Sequence, residues 1–138
     1  MFVITGATGN TGSIAAKTLL AAGKKVRAVV RNAAKAQHLA ALGCDIFVAD
    51  LTDQAALARA FEGAQGVSLI SPPDLNASNF IADRKALTEK QVHTLASVKV
   101  PHVVLLSSVG AQHAEGTGLI RTTHNAEQQL RSAGLAAT

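Results

Sequence analysis

Apolar residues alternate along the chain between two patterns. Short runs rich in β-branched residues occupy positions 2–5, 26–31, 45–49, 67–71 and 103–107. Continuous apolar runs of this length suit strands buried on both faces. The stretches between them carry helical spacing. Ile14, Ala15, Thr18, Leu19 and Ala22 fall on one stripe, with Gly23 as a stop. Leu39 and Leu42 mark a second helix ending near Gly43. Leu57, Ala60 and Phe61 mark a third, with Thr52 or Asp53 as N-cap and Gly63 closing it. A fourth helix is predicted over 80–98, after a loop holding Pro72 and Pro73, and a fifth over 123–132, ending at Gly134.

Strand–helix alternation at this spacing predicts an α/β fold made of βαβ units. The sheet is doubly wound and parallel, in strand order 3-2-1-4-5, and residues 1–138 form one domain. Ligands of such sheets sit at the carboxyl ends of the strands, here near the switch between strands 1 and 4. Residues 134–138 read as a helix exit followed by the start of another strand. The expectation is a fold truncated before or within a sixth strand, with an open sheet edge and part of the fifth helix's apolar face exposed.

Directly behind the first strand stands GATGNTG: Gly6, Ala7, Thr8, Gly9, Asn10, Thr11 and Gly12. A strand leading through such a turn into a helix presents backbone N–H groups at the helix N-terminus, where the dipole favours phosphate. Glycines there allow the tight turn, close approach to a pyrophosphate and close packing of helix on strand. Asn10 and Thr11 can cap the helix or donate to phosphate oxygens. The plainer alternative is a glycine-rich turn without a ligand. No Gly-Lys-Ser/Thr follows, so the lysine-bearing loop of nucleotide hydrolases is excluded. The second strand ends in Arg31, where NAD-preferring sites place an acid for the ribose 2′-hydroxyl. An arginine suits a 2′-phosphate, and one charged hydrogen bond there is worth about 1.5–3 kcal/mol. Lys35 adds to it; the alternative is a solvated strand-end charge. NADP(H) is therefore expected, NAD(H) less so. Asp50 and Leu51 after strand 3 are expected to flank the adenine, with helix capping the other role for Asp50. Ser71 and Pro72 after strand 4 belong under the ribose and pyrophosphate, and Ser107 and Ser108 after strand 5 near the nicotinamide.

Composition narrows the field. Of 138 residues, 48 % are hydrophobic and 16 % charged, which is globular. No apolar stretch approaches the length of a membrane span, so no membrane partner is expected. Cys44 is the sole cysteine, which rules out an intrachain disulfide and, by default, points to the cytoplasm. It reads as packing rather than a nucleophile. The net charge of +4 is scattered, only Lys24 and Lys25 being adjacent, so no nucleic-acid partner is expected. His93, His102 and His113 lack metal-ligand spacing. His124 stands at the start of the fifth helix with Glu127 three residues on, either as an acid or as an ordinary first-turn residue.

VITGATGNTG, VRAVVRN, VADLTD, SLISPP and VVLLSSVGA, in this order, resemble the atypical, NmrA-like branch of the short-chain dehydrogenase/reductase superfamily. The likeness is nearest to its NAD(P)H-dependent quinone oxidoreductases. It implies a Rossmann-like domain with Gly6, Gly9 and Gly12 on the pyrophosphate and Arg31 on the 2′-phosphate. It also implies hydride transfer to a small molecule such as a quinone, with the substrate held mainly by a C-terminal segment. A homodimer is the expected assembly. Typical short-chain reductases use a Tyr and Lys pair that would fall at Leu119 and Thr123, and this chain contains no tyrosine. Alternatives are an NADP(H)-sensing regulator without catalysis and, less favoured, a sugar-nucleotide epimerase or dehydratase.

Overall fold

The computed structural model describes residues 1–70 and 79–138. Five strands, β1 (Phe2–Thr5), β2 (Val26–Val30), β3 (Asp45–Val48), β4 (Gly66–Leu69) and β5 (Val103–Leu105), form one parallel sheet in the order β3-β2-β1-β4-β5. Phe2 pairs with Val26 on one side and Gly66 on the other, so β1 is the central strand. Between them run α1 (Asn10–Ala21), α2 (Gln37–Ala40, after a 3-10 turn over Ala33–Ala36), α3 (Gln54–Phe61), α4 (Phe80–Ser97) and α5 (Arg121–Ser132).

The two faces of the sheet carry separate cores. One packs Val3, Val29, Val67, Leu69, Val103 and Leu105 against α3, α4 and α5 through Leu57, Phe61, Leu95 and Leu130. The other is smaller and packs Ile4, Ala28 and Val30 against Ala16 of α1 and Leu39 of α2. Each large side chain fully buried in this way contributes roughly 1.5–3 kcal/mol. Arg27 ties the edge strand to the larger core: its Nε donates to the Asp45 carboxylate at 2.7 Å and its Nη1 to the carbonyls of Arg59 and Ala60 ending α3.

The structure corrects three expectations: the buried stripe of α1, the place of Leu42 and the exposure of α5. The buried stripe of α1 is Gly12 and Ala16, flanked by the half-buried Ala15, Leu19 and Leu20, while Ile14 is 65 % exposed and Thr18 is exposed. The helix presses its smallest residues onto the strand, and that close approach fixes its rotation. Leu42 likewise lies outside, beyond the end of α2. The apolar face of α5 is covered, with Thr122, Ala126 and Leu130 all buried. The sheet also continues: Ala137 bridges Val103 in parallel, through Val103 N–H to Ala136 O and Thr138 N–H to Val103 O, both 2.9 Å. Asp53, not Thr52, caps α3, accepting from the Ala56 amide at 3.0 Å.

Candidate functional site: the cleft between the ends of β1 and β4

β1 and β4 part at their carboxyl ends. Their ladder pairs Ile4 with Ser68, and beyond it the Thr5 hydroxyl takes over, donating to Ser68 O at 3.0 Å and accepting from the Ile70 amide at 2.9 Å. Gly6 turns at this point with φ +63°, a conformation in which a side chain is strained. A Cβ on Gly6 would lie 2.4 Å from Cγ2 of Ile70, so Ile70 closes over the bare backbone. Gly12 is as tightly placed, since its Cβ would meet Gly6 O at 2.4 Å.

Helix α1 starts here differently from its neighbours. The N-terminus of α3 is capped by Asp53 and that of α4 by Asn79, but Gly9 at the N-cap of α1 offers no side chain, and the first turn holds no acid. The opening N–H groups of a helix have no intrahelical partner. They therefore stand ready for an external anion, in the field of the helix dipole.

A cavity of about 230 Å³ opens beside this turn, bounded by Gly6, Gly9, Val30, Ala49, Leu51 and Ile70, and also by Thr8 and Arg31. A second, of about 290 Å³, continues from it along Thr8, Arg31, Asn32 and Lys35. The first is largely apolar and the second carries two cations with no acid in its wall. Such a pair accommodates an apolar ring system with an anionic group beyond it. Asn32 caps the 3-10 turn that carries Lys35, accepting from the Ala34 amide at 2.9 Å, so the loop after β2 is held in shape.

The predicted residues distribute unevenly. Gly6, Thr8, Gly9, Arg31 and Leu51 come together around the cavities. Ala7 and Gly12 are buried beneath the turn, and Asn10 and Thr11 sit exposed in the first turn of α1. Asp50 does not line either cavity: its carboxylate accepts from the Thr52 hydroxyl at 2.6 Å and the Thr52 amide at 2.8 Å. Those two bonds, the hydroxyl's first, hold its pKa below the ordinary carboxylate value, with Arg31 adding a smaller electrostatic contribution. Ser107 donates to the Glu127 carboxylate and Ser108 to Val109 O, neither facing the cavities. Ser71 and Pro72 lie outside the described residues. His124 and Glu127 are not partners, because the His124 Nδ1 contacts Ala111 O at 2.8 Å while Glu127 holds Ser107. Sequence reading missed Val29, Val30, Ala49, Asn32 and Ile70 as wall residues. Ile70 had a signal, as the residue ending the β4 run directly across the switch point.

The NAD(P)H-binding family matches residues 6–138. Quinone oxidoreductase 2 of Escherichia coli (strain K12) is 42 % identical over 77 residues, 54 % of this chain and 27 % of that protein. An NAD(P)H azoreductase of Xenophilus azovorans is 27 % identical over 138 residues, all of this chain and 46 % of that protein. Among solved structures, an NADPH-dependent quinone oxidoreductase of Escherichia coli complexed with NADPH superimposes with a TM-score of 0.84 at 29 % identity, over 99 % of this chain and 47 % of that one. The chain thus spans less than half the length of the curated relatives it matches.

Proposed function

The chain belongs to the NAD(P)H-binding family, and on that premise we propose that it binds NADP(H) in preference to NAD(H), as the cofactor domain of an atypical short-chain oxidoreductase that reduces quinones or similar acceptors. The carrying observation is the uncapped N-terminus of α1, which opens beside a cavity whose far wall is Arg31 and Lys35. The amides around Gly9 hold the pyrophosphate, and the tight Gly6–Ile70 and Gly12–Gly6 contacts keep the turn rigid enough to present them. Leu51, Ala49 and Ile70 offer apolar surface to the adenine, and the two cations hold the 2′-phosphate. The reduced nicotinamide, when bound, supplies a hydride. The relatives, a quinone oxidoreductase and an azoreductase, support small electron-poor acceptors as substrates.

Calorimetric titration of NADPH and NADH into the protein and into Arg31→Asp tests this reading. Loss of a charged hydrogen bond of about 1.5–3 kcal/mol lowers NADPH affinity by roughly 10- to 150-fold. NADH affinity should change much less. Equal affinity of the unaltered protein for the two cofactors, or binding of neither, refutes the proposal.

A further inference from the structure

Both serine hydroxyls at the carboxyl end of β5 have their hydrogens committed. Ser107 donates to Glu127 Oε1 at 2.5 Å and Ser108 to Val109 O at 3.4 Å. The first of these bonds joins two elements. Leu105 pairs with Leu69, and the Leu106 amide donates to Leu69 O at 3.1 Å, so Ser107 stands one step beyond the level of Ile70. Glu127 comes from the second turn of α5, beside Ala126, whose burial together with Leu130 fixes the rotation of that helix. Ser107 is exposed and Glu127 half-buried, so the bond lies at the rim of the sheet and not in the core. Among the described residues no lysine or arginine pairs with Glu127, and His124, on the same helix, contacts Ala111 O instead.

A serine hydroxyl has one hydrogen to give and two lone pairs. Here a carboxylate takes the hydrogen, at the short distance of a charge-assisted O–H···O⁻ bond. The Ser107 oxygen therefore faces outward as an acceptor only. The bond also strengthens it in that role, because linked hydrogen bonds polarise one another. The carboxylate adds further lone pairs beside it. A ligand N–H or O–H finds acceptors at this end of β5, whereas a bare carbonyl finds no serine hydrogen left to bind.

β4 lies between β1 and β5, which puts Ser107 about 10 Å, two strand spacings, from the end of β1 and on the opposite side from Arg31 and Lys35. A dinucleotide bound as proposed above, with one end at those cations and its diphosphate at the Gly9 turn, carries its reactive ring and the acceptor toward β5. We propose that Glu127 is a positioning residue that makes Ser107 a hydrogen-bond acceptor for the substrate. The preferred substrates are then quinone-like acceptors that carry an N–H or O–H donor, such as a ring amino group, beside the carbonyl. This inference rests on the cofactor reading and adds to it the polarity of the substrate's edge. Ser107 orients the ring and neither gives nor takes a proton.

NMR shift titration of the 138-residue chain, saturated with NADP⁺ so that no acceptor is reduced, is the test. Two ligands of nearly equal shape are compared, 2-amino-1,4-naphthoquinone and 2-methyl-1,4-naphthoquinone. The unaltered protein should bind the amino compound roughly two- to twelvefold more tightly, the worth of one neutral hydrogen bond. Glu127→Gln should bring that ratio to about one, because a glutamine amide can donate to Ser107 and turn its hydrogen outward. Ser107→Ala should do the same by removing the oxygen. Neither change opens the core, and unchanged far-UV circular dichroism checks that both variants fold. Failure of NADP⁺ to bind refutes the cofactor reading and this inference with it. With NADP⁺ bound, equal affinity for the two rings, binding of neither, or a preference that survives Glu127→Gln overturns this inference alone.

Discussion

Replacing Gly12 by Ala sets two effects against each other. Helix propensity favours the change, because Ala in a helix interior is better than Gly by about 1 kcal/mol. Packing opposes it. The added Cβ would stand 2.4 Å from Gly6 O, 2.9 Å from Gly6 C and 3.0 Å from the Ala7 Cα. All three are backbone atoms of a turn that Ile70 already pins from above at Gly6. No flexible side-chain end is available to swing away, so the start of α1 must lift off the strand. Overpacking of this kind costs typically 1–3 kcal/mol, and against unyielding backbone it falls in the upper half of that range, so after the propensity gain of about 1 kcal/mol the expected loss is about 1–2 kcal/mol. Gly9→Ala is the control. Its Cβ would approach only Gly6 O, at 3.3 Å, and the backbone at Gly9 has φ −85°, which any residue adopts. Its stability should lie within about 0.5 kcal/mol of the unaltered protein. Guanidinium unfolding followed by circular dichroism at 222 nm is the assay, since the chain has no Trp or Tyr for fluorescence. The denaturation midpoint of Gly12→Ala should fall with an unchanged slope. A Gly12→Ala protein as stable as the original, or a Gly9→Ala protein equally weakened, would refute the packing argument.

Gln91 is fully buried on α4, and neither its amide nitrogen nor its carbonyl oxygen has a hydrogen-bond partner among the described residues. A buried unsatisfied amide costs about 1–3 kcal/mol, so Gln91→Met, similar in length and unbranched, should raise thermal stability; a fall in the melting temperature would mean the amide is satisfied. Asp50 has a folded-state pKa below its unfolded value, so its contribution is present above the unfolded carboxylate pKa of about 3.9 and fades as pH drops through the lower folded value. Carbon-detected NMR titration should find Asp50 titrating below the ordinary carboxylate range and Thr52→Val moving it back up; no movement would show that Thr52 is not the cause. Burial pushes the Cys44 thiol up, and its Sγ donates to Val26 O at 3.4 Å. Labelling by a disulfide reagent at pH 8 should therefore wait on unfolding, and rapid labelling of the native protein would contradict that burial.

Much of this architecture was legible locally. Apolar runs and helical stripes are properties of neighbouring residues, so all five strands and the start of most helices could be read directly, and strand–helix alternation dictates the parallel order. The turn GATGNTG and the terminal Arg31 of the second run mark one end of the sheet for the same reason. What neighbours in sequence do not encode is rotation and reach. Ile14 reads as core and lies outside because Gly12, pressed against Gly6, sets the angle of α1.

The sequence by itself determined that a strand, a glycine turn and a helix follow one another, and that a guanidinium ends the next strand. Only the tertiary structure decided that Ile70, 64 positions away, roofs Gly6, and that the Asp50 carboxylate is taken by Thr52 and lines neither cavity. Those outcomes depend on which side chains the sheet brings within a few ångströms, and on local hydrogen bonds that capture a polar group before a more distant site can use it.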